Sequence, residues 1–175
     1  MLYSCTMRTV LVLRHGKSDW GHTGMGDHDR PLASRGSAAA ECMGRFLSAI
    51  ESPPDRVLSS TAIRARSTAE LARSAAGWTC PIDCLDSLYE TTAEAMIDLL
   101  RQQDPATERL LLVGHQPTWS ELIAVLTGGM AVRFPTAALA RIDLAVDQWS
   151  GVEPRSGALR WLVTPKLLQR SGFPA

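Results

Sequence analysis

The chain has 175 residues, of which 45% are hydrophobic and 21% charged, ordinary values for a soluble globular protein with one good-sized core. Lys plus Arg and Asp plus Glu both total 18, so the formal net charge is zero. That balance excludes nucleic-acid or membrane-surface binding driven by overall charge, though not a small local basic pocket. No apolar run approaches the ~20 residues a membrane span needs, and Val10 to Leu13 is too short for a signal peptide. A cytoplasmic protein is expected, with no membrane or nucleic-acid partner. The four cysteines, Cys5, Cys42, Cys80 and Cys84, contain no Cys-x-x-Cys pair and read as thiols of a reducing compartment.

The first strand is expected over Thr9 to Leu13. Residues 1–8 show no pattern, leaving Met7 as an alternative start. Asp19 to Pro31 carries three glycines, two histidines and three aspartates and reads as a long, polar, mobile loop. Ser34 is the expected cap of a helix to about Ile50, with Ala39, Cys42, Met43, Phe46, Leu47 and Ile50 on one face. Ser52-Pro53-Pro54-Asp55 stops it. Arg56 to Ser59 is a short strand. Ser60 or Thr61 caps a helix to about Ala76, with Gly77 at its end.

Ile82 to Leu88 is a weaker strand. Thr91 and Glu94 have capping-box spacing ahead of Met96, Ile97 and Leu100. Leu110 to Val113 is all apolar, as a strand buried on both faces requires. Pro117 suits the first turn of the next helix, whose buried stripe is Trp119, Leu122, Ile123 and Leu126. Ala138 to Leu144 and Ala158 to Val163 are two further strands, and residues 166–175 read as a frayed, peripheral tail. Strands alternating with helices imply one domain over residues 1–175: a three-layer α/β/α sandwich on a central, mostly parallel sheet.

Arg14 and His15 end the first strand, Arg64 lies in the first turn after the second, and His115 ends the central one. Open α/β sheets place their ligand crevice at this carboxyl edge, so the four can converge. Arginine binds phosphate through parallel hydrogen bonds, a neutral histidine can attack phosphorus, and helix amino termini favour an anion. Gly16 allows a sharp turn there. His22 and His28 with His15 match no usual metal spacing, so solvated loop histidines are expected and no metal or cofactor. Arg66 and Arg73 fall on a solvated helix face, with Arg66 close enough to Arg64 to widen a positive rim. Trp119, Trp78, Trp149 and Trp161 read as packing residues. Trp20, beside the loop, is open.

These residues resemble the histidine phosphatase superfamily, which has the phosphoglycerate-mutase-like fold. The resemblance rests on Arg14-His15-Gly16, on Ser60-Thr61-Ala62-Ile63-Arg64-Ala65 and on Gly114-His115, and runs from about Thr9 to Val163. Lys17-Ser18-Asp19-Trp20, Asp27-His28-Asp29-Arg30-Pro31-Leu32 and Gly114-His115-Gln116-Pro117 look most like the short SixA-type phosphohistidine phosphatases. A chance Arg-His-Gly in such a chain has a probability on the order of one per cent; three motifs in order at strand ends are far more specific.

The resemblance implies a metal-independent phosphatase in which His15 is phosphorylated while Arg14, Arg64 and His115 hold the phosphoryl oxygens. Lys17, Ser18 and Arg30 are candidate substrate contacts. Glu90, within Leu88-Tyr89-Glu90-Thr91, is a candidate general acid or a surface carboxylate flanking a helix, with Asp19 and Asp29 as lesser candidates. The expected substrate is a phosphohistidine protein or a small phosphorylated molecule, and a non-catalytic phosphate-binding module is the alternative from another class. The short chain leaves no room for a long lid, so an open, shallow site is expected.

Overall fold

The computed structural model describes residues 7–21, 24–51, 53–129 and 132–173; Met1, Cys5, His22, Ser52 and Pro174 lie outside them. The described strands form one sheet in the order β3-β2-β4-β1-β5-β6. They are β1 (Arg8–Arg14), β2 (Arg56–Ser60), β3 (Ile82–Leu85), β4 (Arg109–Gly114), β5 (Leu139–Leu144) and β6 (Gly157–Val163). The β3-β2-β4-β1 pairs are parallel, and only β5 runs against its neighbours.

Strand alternation builds the two cores. Val10, Val12, Leu58, Leu110 and Leu112 face α3 (Ala93–Arg101) and α4 (Thr118–Thr127), with Trp119 and Trp149 in the same cluster. Leu11, Leu13, Val57, Leu111 and Val113 face the other way, packing with residues of α1 (Ser34–Ile50) and α2 (Ile63–Ala76). The sheet is therefore covered on both faces, the arrangement that nearly continuous apolar strands require.

Several boundaries differ from the sequence reading. Arg8 belongs to β1, buried, with its guanidinium donating to the Thr107 and Asp147 carbonyls. Helix α1 starts from Ala33, whose methyl side chain offers no acceptor for a cap, and Ala33 N–H is held by the Lys17 carbonyl at 2.8 Å. The α3 cap is Thr92, whose hydroxyl accepts from Ala95 N–H; the Thr91 carbonyl accepts instead from the Thr118 hydroxyl. Ser60 does not cap α2 directly but accepts from Ala62 N–H, just ahead of it. Strand β3 ends at Leu85, and Asp86–Leu88 is a single 3-10 turn.

Most of the described tail from Lys166 is helical rather than frayed. Pro165–Ser171 is helix α5, capped by Thr164, with Leu168 buried and Phe173 edge-on to Phe46. Cys42, Cys80 and Cys84 are free thiols. No described helix is long and apolar enough to cross a membrane.

Candidate active site

The site begins with the register of two parallel strands. Arg14 is paired with Gly114, so His15 and His115 leave the sheet side by side at its carboxyl edge. The His15 N–H donates to the Gly114 carbonyl at 3.0 Å, and the two imidazole centroids lie 5.1 Å apart. Arg64 reaches the same point from α2, its Nη2 3.4 Å from His115 Nδ1. Arg14 is anchored through Nη1 to the Phe134 carbonyl, while its buried Nε has no partner among the described residues. An unpaired buried donor among cations is the feature an anion would satisfy.

Gly16 is needed for a reason other than a sharp turn. It does not adopt a positive φ, but a Cβ there would lie 2.5 Å from the Gly36 carbonyl oxygen. Reciprocally, a Cβ on Gly36 would meet the Lys17 carbonyl at 2.2 Å. The first turn of α1 thus presses directly on the backbone that carries His15. Gly16 N–H donates to Thr68 Oγ1, which in turn donates to the Arg64 carbonyl, tying the His15 and Arg64 segments together.

His15 Nδ1 lies 2.7 Å from the Gly16 carbonyl, an acceptor only, so Nδ1 carries the hydrogen and Nε2 the lone pair. Burial first, with His115, Arg64 and Arg14 adding repulsion, lowers the His15 pKa to about 3 despite that carbonyl bond. Burial and then Arg64 lower His115 to about 4. Both rings are neutral near pH 7. With Arg64 donating to His115 Nδ1, the Nε2–H of His115 donates to the buried Ser60 hydroxyl at 2.9 Å.

A cleft of about 420 Å³ surrounds these groups, lined also by Lys17, Ser18, Trp20, Arg30, Tyr89 and Glu90. All of the proposed phosphate contacts therefore border one space. Glu90 lines it on backbone with φ of 53°, a left-handed conformation a non-glycine residue rarely holds. Asp19 and Asp29 do not line the cleft. Asp19 accepts from Gly21 N–H, and Asp29 pairs with His28. Their loop is held at its base by Asp19 N–H to the Pro31 carbonyl and tied to α2 by Ile63 N–H to the His28 carbonyl, and it contributes Trp20, Asp27 and Arg30 to the cleft lining. That second bond also occupies the first N–H of α2, which is not free for an anion. Arg66 pairs with Glu70 and is not part of the rim.

The residue that sequence reasoning missed is Asp27. Its carboxylate takes Arg64 Nη2 at 2.8 Å, pairs with Arg30 and accepts from the Tyr89 hydroxyl at 3.1 Å. Burial pushes this carboxyl up, but Arg64, the Tyr89 hydroxyl and Arg30 outweigh it and hold it below the usual carboxylate range. A negative charge already sits on Arg64. The only signal in the chain was position, an aspartate three residues before Arg30, and nothing local distinguished it from Asp29. His28 bridges Thr61 and Asp29 and stacks edge-on against Tyr89.

Fold and cleft define an α/β protein with a cationic, anion-binding crevice where parallel strands end. A family model described as histidine phosphatase superfamily (branch 1) matches residues 10–99. An uncharacterized protein of Mycobacterium tuberculosis is 35% identical over 164 residues, 88% of this chain and 100% of its own length. The structure assigned as the phosphohistidine phosphatase SixA from Agrobacterium tumefaciens is 29% identical, covers 90% of this chain and 98% of its own, and superposes with a TM-score of 0.77. The protein histidine phosphatase SixA solved with tungstate reaches a TM-score of 0.80 over 91% of this chain and 99% of its own; at 24% identity it speaks to the fold alone. The chain belongs to the histidine phosphatase superfamily, in its SixA-type branch, and is a phosphatase.

Proposed function

We propose that the protein hydrolyses a phosphohistidine borne on another protein, by way of a covalent phosphohistidine on His15. The observation that carries this reading is the Nδ1–H to Gly16 carbonyl bond beside an unpartnered Arg14 Nε, which supplies a neutral nucleophile and an anion site in one place. In the first step His15 Nε2 gives its lone pair to phosphorus in line, and the bond from phosphorus to the substrate imidazole breaks. Arg14 and Arg64 hold equatorial oxygens, each contact contributing about 2–4 kcal/mol to the transition state, and His115 donates to the third once it takes a proton on Nδ1 as Arg64 turns from it to the phosphoryl group. Glu90, on the cleft wall, donates a proton where the leaving group needs one. In the second step water attacks the same phosphorus, the bond to Nε2 breaks, inorganic phosphate departs and the water proton passes to solvent or to the carboxylate.

The cleft supports a protein-borne phosphate, because it opens to solvent at a mouth where Trp20 is 69% exposed. A small-molecule phosphomonoesterase would use the same chemistry, and a non-catalytic module would bind phosphate without turnover. A brief pulse of labelled phosphodonor in the presence of EDTA separates these. The expected product is an acid-labile, base-stable adduct on wild-type protein, absent in His15→Ala, together with His15-dependent p-nitrophenyl phosphate hydrolysis. An acid-stable serine adduct, or equal background in both proteins, contradicts the reading.

A further inference from the structure

The chain is neutral overall, yet four of its cationic side chains share one surface beside the catalytic cleft. A groove of about 760 Å³ is lined by Lys17, Arg35, Arg133 and Lys166, and no carboxylate is among its lining residues. None of these four side chains forms an ion pair or hydrogen bond among the described residues, although the protein pairs most of its other arginines. The groove is continuous with the active site. Lys17 and Thr136 line both spaces, and a shallow depression carrying Arg14 and Arg133 joins them. Unpaired cations gathered in one concave surface repel each other and are held there by the fold alone. Such a surface is complementary to an extended anion.

The cations are spread rather than focused. Arg35 comes from the first turn of α1, Arg133 from the chain ahead of β5, and Lys166 from α5, all three exposed. The groove is nearly twice the volume of the catalytic cleft. At the cleft mouth Trp20 is 69% exposed, with the Arg30 guanidinium 3.6 Å from its ring centre. Exposed tryptophan and arginine at a cleft mouth are the residue types that anchor macromolecular contacts. We infer that the groove binds an acidic segment of the substrate protein next to its phosphorylated residue. The inference rests on the protein-phosphatase reading above and adds the substrate feature the enzyme selects.

The test uses two phosphohistidine peptides of equal length, one with aspartates and glutamates flanking the phosphorylated residue and one with serines and glycines. Wild type is expected to favour the acidic peptide by about tenfold in kcat/KM at low salt, as two to four exposed ion pairs allow, and to lose the preference as salt rises. The Arg35→Ala/Lys166→Ala double variant is expected to treat the two peptides alike while hydrolysing p-nitrophenyl phosphate at the wild-type rate. Equal kcat/KM for both peptides in wild type, or a preference retained in the variant, overturns the inference. So does a preference confined to small bisphosphates over monophosphates. The unphosphorylated acidic peptide, titrated into His15→Ala protein, reads the groove with no catalysis. Failure of p-nitrophenyl phosphate turnover counts against the phosphatase reading, and failure of that titration counts against the groove.

Discussion

Asp27 sets the electrostatic state of Arg64. An ionised carboxylate on Arg64 Nη2 stands where a phosphoryl oxygen would be held, so an arriving dianion has to displace it. The Asp27 side chain is about half exposed, which keeps such a pair weak, roughly 0–1 kcal/mol. Asp27→Asn should therefore tighten inhibition by inorganic phosphate by up to about fivefold, measured as a competitive inhibition constant. A weaker inhibition constant would show that the carboxylate orients Arg64 rather than occupying it. Asp27 also explains a limit of sequence reading at this scale. The types Arg14, His15, Arg64 and His115 declared their chemistry at strand ends, whereas a loop aspartate acquires a role only from the partner that folding places opposite it.

At the scale of elements, two glycines of α1 make tight contacts with different consequences. A Cβ on Gly44 would lie 2.1 Å from the Ala72 carbonyl oxygen, where α1 crosses α2. A Cβ on Gly36 would instead push on Lys17, next to the segment that carries His15. Overpacking of this kind costs about 1–3 kcal/mol. Gly44→Ala should lower the urea midpoint while kcat stays near wild type. Gly36→Ala should lower both, because the helix cannot move without shifting the segment that carries His15. Thermal or urea melts with kcat on p-nitrophenyl phosphate check the pair, and an unchanged kcat in Gly36→Ala would refute the coupling. The helices and strands were legible from periodicity, since Leu110 to Val113 and the Trp119 stripe can form little else. Caps were not. Ser34 and Thr91 looked like caps locally, but Lys17 and Thr118, distant in the chain, had claims on the neighbouring backbone. The helix at Pro165–Ser171 was missed because its one buried residue, Leu168, gives no periodic signal.

For the whole molecule, the two neutral imidazoles tie stability to pH. Both are held well below an ordinary histidine, at about 3 and about 4, while in the unfolded chain each titrates near ~6.5. Between these values the unfolded state binds more protons than the native one, so stability falls as pH falls through that window. Each histidine can contribute up to about 1.4 kcal/mol per pH unit. Asp27 and Glu51, held low by their arginines, add to the loss only further into acid. Urea melts at pH 7 and pH 5 should thus show a larger drop for wild type than for His15→Asn/His115→Asn. Identical drops would mean the rings are not held neutral.

The three layers were expected from the alternation of elements, and the two guanidiniums and two neutral imidazoles meet at one edge of the sheet. What the chain could not announce was the division of labour around them. The spacing of the two imidazoles is fixed by a main-chain ladder, Arg14 opposite Gly114 with His15 N–H on the Gly114 carbonyl, and not by any connecting loop. The outer cleft wall and basic groove come from other stretches: the loop after Lys17, the first turn of α1, the approach to β5 and the last helix. Substitutions there can retune what the enzyme accepts while its reactive centre stays put. Recognition and bond-breaking are thereby modular, and a library confined to those four stretches could be screened for altered selectivity without rebuilding the chemistry.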